Sequence, residues 1–182
     1  KLTTGNSQIL LAIKSGKAIR FEEDKTRPMG RSASGVRGIT LNGPSDEVIG
    51  MVSVSDTETE ILVVSENGYG KRSSLDDYRT TNRGGKGVKT LSITDKTGEL
   101  VSIKNVSDLD DLMIINKSGI AIRMDVADLR VMGRATQGVK LINLKGSDTI
   151  AAVAKVMKDD EEIPEVSEDD LPTSETDGTN LE

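Results

Sequence analysis

Short apolar runs recur along the chain, each closed by a compact polar turn. Ile9–Ile13 (ILLAI), Ile61–Ser65 (ILVVS) and Leu112–Asn116 (LMIIN) are rich in branched side chains and short enough to predict buried strands. The turns that follow read KSGK, ENGY and KSGI. Asn67–Gly68 predicts a two-residue hairpin turn in which both residues take positive φ. A second strand then alternates, as in Ala18–Ile19–Arg20–Phe21 and Ala121–Ile122–Arg123–Met124. After a polar loop, Gly35–Val36–Arg37, Gly87–Val88–Lys89 and Gly138–Val139–Lys140 each lead into a predicted third strand. Val48–Val52, Leu100–Ile103 and Ile150–Ala154 supply a fourth.

The pattern is a threefold internal repeat. Gly16, Gly68 and Gly119 align, as do Gly35, Gly87 and Gly138, with offsets of 52 and then 51 residues. A period near 50 belongs to propeller-type blades, not to the shorter helical repeats. The expected fold is all-β, with about three four-stranded antiparallel blades over residues 5–56, 57–107 and 108–157. No blade buries its apolar faces alone, so neighbours must stack. Residues 159–182 are expected to form an acidic disordered tail after a repeat region ending at 158. Because the chain starts at Lys1, it is read as a fragment of something larger.

Charge is segregated along this frame. The chain has 30 acids, 24 bases and a net charge of −6. Eleven of the acids follow Lys158, where no Lys or Arg occurs; the other 19 face all 24 bases, so the repeats are net positive. A basic body with an acidic tail points to a polyanionic partner. The chain lacks Cys and His, which excludes disulfides, His/Cys zinc sites and a His general base. No apolar run is long enough to span a membrane as a helix.

The bases repeat as well. Arg27, Arg31 and Arg37 flank the first polar loop. Arg79, Arg83, Lys86 and Lys89 flank the second, and Arg130, Arg134 and Lys140 the third. In a stack of blades, equivalent loops lie along one rim, and a rim of evenly spaced cations matches a phosphate backbone without reading sequence. Gly84 and Gly85, between Arg83 and Lys86, are expected to let the backbone approach DNA and offer N–H groups to phosphate. Asn82–Gly87 is not a Walker A loop, since neither Ser nor Thr follows Lys86. For Arg20, Lys71, Arg72 and Arg123, an outward strand face and a DNA contact are equally supported. Tyr69 and Tyr78 read as packing residues. No nucleophile or acid–base constellation stands out, so no catalytic or metal-binding residue is assigned.

The units ENGYGKRSSLDDY, MGRSASGVRGI and VMGRATQGVKLI resemble consecutive blades of the C-terminal domain of the DNA gyrase A subunit, the β-pinwheel, over residues 5–157. The resemblance places them as its last three blades and tail. It implies wrapping of double-stranded DNA, which lets the whole enzyme introduce negative supercoils in an ATP-dependent reaction. It also implies partnership with the gyrase B subunit and the rest of the A subunit in the bacterial cytoplasm, at the nucleoid. The cleavage tyrosine, Mg²⁺ and ATP belong to other parts of the enzyme; no cofactor is expected here. The family's Q-R-R-G-G-K-G box is matched only from Arg83 to Gly87, with Thr81 and Asn82 in its first two positions, so this is a box-like loop. The alternatives are the equivalent topoisomerase IV domain and a propeller-like protein-interaction module. The tail either competes with DNA for the rim or only solubilises the chain.

Overall fold

A computed structural model describes residues 1–54 and 60–157; the acidic segment lies outside the described residues. Eleven strands form three antiparallel sheets among them. The first repeat supplies β1 (Gln8–Ile13), β2 (Lys17–Glu22) and β3 (Val48–Val54). The second supplies β4 (Glu60–Ser65), β5 (Tyr69–Ser74), β6 (Val88–Lys89) and β7 (Leu100–Val106). The third supplies β8 (Asp110–Asn116), β9 (Ala121–Asp125), β10 (Val139–Lys140) and β11 (Ile150–Met157).

The sheets are not built each from one repeat. Their strand orders are β3-β1-β2-β6, β7-β4-β5-β10 and β11-β8-β9. The short strand read as the third member of its own repeat crosses over and pairs with the second strand of the preceding one. Val88 and Lys89 lie opposite Ala18 and Lys17, and Val139 and Lys140 lie opposite Gly70 and Tyr69. The expected third strand after Gly35 does not form among the described residues, because no preceding repeat in this chain offers it an edge; a strand needs a partner ladder for its N–H and C=O groups. Among the described residues the third sheet has three strands, with no crossover strand on β9.

β3 packs on β7 and β7 on β11, so these strands form the inner side of the stack. β6 and β10 lie at the opposite edges, on the outside. One core fills the space between the first two sheets, with Leu10, Val52, Ile61, Val63, Tyr78, Leu91 and Leu100. A second joins the last two sheets through Leu62, Val64, Leu112, Ile114, Leu141 and Ile150. β4 is therefore buried on both faces, which explains why ILVVS shows no alternation.

The Asn67–Gly68 turn differs from the expected type. No non-glycine residue among those described has positive φ, and the Gly68 N–H donates to Ser65 O at 3.1 Å. This is a three-residue loop in which only the glycine takes the left-handed conformation. At the crossover the demand on glycine is stronger. Gly138 has φ 78°, and a Cβ there would stand 2.5 Å from Gly70 O. Gly138→Ala is expected to cost about 2 kcal/mol or more in urea unfolding, from backbone strain and displacement of β10. Gly119→Ala, with φ 89° but nothing within 4 Å of its Cβ, bears the strain alone and loses less.

Candidate nucleic-acid interface

The exposed outer edge is where the cations collect. Lys89 on β6 and Lys140 on β10 are both exposed. Lys89 sits directly opposite Lys17 in the register, and like charges in that position repel. Arg79, Lys86 and Arg130 are exposed on the loops that lead into these strands, and Arg27, Arg31 and Arg37 are exposed on the first loop, which is hydrogen-bonded to the second through Gly84 N–H to Gly38 O. Among the described residues, ion pairs form at Lys14, Lys25, Arg72, Arg123 and Lys155, and none forms at the ten rim cations. Arg20, Arg79, Asn82 and Lys86 line a cavity of about 200 Å³ where the second loop crosses β2. Lys17 and Lys96 belong to this edge too, although position in the repeat does not single them out. Lys96 lies 5.4 Å from the ring centroid of half-buried Tyr69, a cation–π contact beside Lys140.

Arg83 and Arg134 serve the fold as well. Arg83 donates from Nε to Lys25 O (2.9 Å) and from Nη1 to Arg37 O (3.0 Å). Arg134 donates to Asp77 O (3.0 Å) and Lys89 O (2.7 Å), the equivalent positions one repeat on. Each therefore pins its loop to the preceding repeat and leaves part of its guanidinium outward. Arg31 occupies the same position in the first repeat, where no preceding repeat of this chain supplies such carbonyls.

Gly84 does not offer its N–H to solvent; it donates to Gly38 O at 2.6 Å, while its carbonyl accepts from Thr40 Oγ1. The Gly85 carbonyl accepts from Thr40 N. The close approach that these glycines permit is to the neighbouring repeat, with Arg37 O 3.4 Å from a Cβ placed on Gly84.

The four strand cations divide. Arg20 reaches Leu75 O (2.8 Å) and Tyr78 O (3.1 Å) of the next repeat. Arg72 does the same one repeat later, donating to Leu129 O, and is buried. Lys71 is buried too, with 1% of its surface exposed. For Lys71 and Arg72 both the outward face and the DNA contact are overturned: neighbouring repeats cover β5 on both sides. Arg123 is exposed and pairs with Asp111 at 2.5 Å. Tyr78 is fully buried against Thr90, and burial pushes its phenol up to about 12. Among the described residues, no group of three or more acids is placed to hold a metal, and no helix is long and apolar enough to cross a membrane.

The family model for the DNA gyrase C-terminal domain, described as a β-propeller, matches residues 8–55, 59–107 and 110–157. The chain belongs to the DNA gyrase C-terminal domain family. It is 47% identical over 180 residues to the DNA gyrase A subunit of Staphylococcus aureus strain NCTC 8325 / PS 47, covering 98% of this chain and 20% of that protein. The gyrase A subunit of strain MRSA252 is 48% identical over 181 residues, with the same coverage. The chain thus spans about one-fifth of the length of these curated relatives. A solved DNA gyrase A C-terminal domain superposes with a TM-score of 0.78 at 26% identity, covering 85% of this chain and 52% of that one. The C-terminal domain of a DNA topoisomerase IV superposes with a TM-score of 0.80 at 22% identity, covering 86% and 49%, a likeness of fold alone.

Proposed function

We propose that this gyrase-family domain binds double-stranded DNA along its outer edge without reading sequence, and bends it around the stack. The observation that carries this reading is the row of ten rim cations, none in an ion pair among the described residues, with Lys17 and Lys89 held opposite each other. A structural surface would pair or disperse such charges. A phosphate backbone neutralises them and releases counterions. Bending DNA costs several kcal/mol over a few tens of base pairs, so many contacts on successive repeats are needed to offset it. In the parent enzyme, this wrap presents a DNA segment for ATP-dependent passage and negative supercoiling, with the gyrase B subunit and the rest of the A subunit as partners in the bacterial cytoplasm. The catalytic groups, Mg²⁺ and ATP are assigned to those other parts.

Affinity for a random-sequence duplex, measured against salt, tests the proposal. Lys89→Ala and Lys140→Ala are each expected to reduce the slope of log K against log salt by about 1, with unfolding unchanged. Arg134→Ala is expected to lower both affinity and stability, because its carbonyl contacts are lost as well. A shallow slope, unmoved by the lysine changes, would defeat the rim assignment.

A further inference from the structure

The second repeat carries a buried polar chain where the other two repeats are largely apolar. Lys71 Nζ donates to Ser73 Oγ (2.9 Å) and to Gly133 O of the third repeat (2.8 Å). Ser73 neighbours the buried Tyr78 hydroxyl, which meets Thr90 Oγ1 at 2.5 Å. At the matching positions the first repeat has Ile19, Phe21, Thr26 and Gly38, and the third has Ile122, Met124, Leu129 and Leu141. Lys71 and Ser73 lie opposite Val63 and Ile61, so they share the face that builds the first core. The polar chain therefore passes along the core between sheets one and two and reaches the loop of repeat three at Gly133.

Its two ends touch the rim. Gly133 immediately precedes Arg134, and Thr90 immediately follows Lys89, whose carbonyl Arg134 binds. The charged groups acting on Lys71 are Asp77, which favours its ammonium, and Arg134, which opposes it. Burial outweighs both and holds Lys71 down at about 8. An ammonium here works against folding, and isoleucine fills the same place in two repeats. What distinguishes Lys71 is the carbonyl it holds.

We propose that Lys71 is a positioning residue for DNA binding: its ammonium, on the Gly133 carbonyl, sets the seat of the Arg134 loop at the junction of all three repeats. This rests on the DNA-binding reading above. A charge-assisted hydrogen bond is stronger than a neutral one, so the hold weakens when Lys71 loses its proton.

Affinity for a duplex at constant ionic strength, followed from below to above pH 8, tests this in the wild-type chain and in Lys71→Ile. Wild-type affinity is expected to fall about tenfold across that range, while Lys71→Ile stays flat at the weak value. The salt slope of the variant should fall by no more than the single contact that Arg134 makes, since Lys71 itself meets no phosphate. Wild-type affinity in the variant, or the same pH fall in it, overturns the proposal. Should Lys71→Ile fail to fold, K71I/S73M/Y78L/T90L takes the third repeat's residues at all four positions and is expected to show the same weak, flat binding.

Amide exchange without DNA separates the two readings. The Met132 and Thr136 amides, bonded to Arg72 O and Gly133 O, are expected to exchange about tenfold faster in the variant, and unchanged exchange overturns the role of Lys71. A wild-type chain that binds no duplex instead counts against the DNA reading.

Discussion

Arg72→Ala is expected to destabilise the described repeats by about 3 kcal/mol, more than any single rim substitution. The guanidinium is buried and spans three elements. It pairs with Glu60 at 2.8 Å on β4 and with Asp108 at 2.5 Å in the turn after β7. It also donates to Leu129 O and Ala127 O of the third repeat. Asp108 is largely exposed and adds little. The cost comes from the carbonyls and the half-buried Glu60 left without a donor. Arg72→Lys should recover only a fraction, because an ammonium cannot span that fork. Arg20→Ala removes the equivalent contacts from a partly exposed site and should cost about 1 kcal/mol, so the ratio of the two in guanidinium unfolding checks the assignment.

The second large effect is a rise of stability with pH. Lys71 has an ordinary value of 10.5 and a folded value of about 8. Below pH 8 the ammonium is present in both states and its burial cost is borne in full. Between pH 8 and 10.5 the unfolded chain holds a proton that the fold has released, so stability climbs by about 3 kcal/mol. Tyr78 sets the upper limit. Its folded value of about 12 lies above the ordinary 10.0, so the unfolded chain ionises first and stability falls again through that range. Chemical denaturation against pH should therefore show a maximum at about pH 10. Lys71→Ile is expected to remove the rising limb, and Tyr78→Phe the falling one. A rising limb retained in Lys71→Ile would show that its source lies elsewhere. The isoleucine variant should also be at least as stable as the wild type at neutral pH while binding DNA less well, an opposition that a purely structural lysine would not produce.

Much of this is legible in residue order. The repeat offset aligns Arg31, Arg83 and Arg134, and the all-β stack follows from short apolar runs with a period near 50. The crossover is not legible. Val88–Lys89 has the same pattern whichever sheet it joins, and strand membership is decided by the partner edge. The same limit hides the double role of Arg83 and Arg134, whose acceptors are main-chain carbonyls of another repeat and leave no side-chain signature. Lys71 and Arg72 mislead for a related reason. A lysine and an arginine in a short polar strand look solvated when only their own sheet is considered. One signal is available for Lys71: it aligns with Ile19 and Ile122, two core residues.

The crossover strands also decide how the stack bears mechanical load. Lys89 is covalently part of the second repeat but hydrogen-bonded into the first sheet through β6. Tension applied at that side chain divides between the peptide chain of one repeat and the strand ladder of another. Lys140 divides its load the same way between the third repeat and the second. A pull along the rim thus loads the hydrogen-bonded ladders between repeats as well as the peptide chain within each.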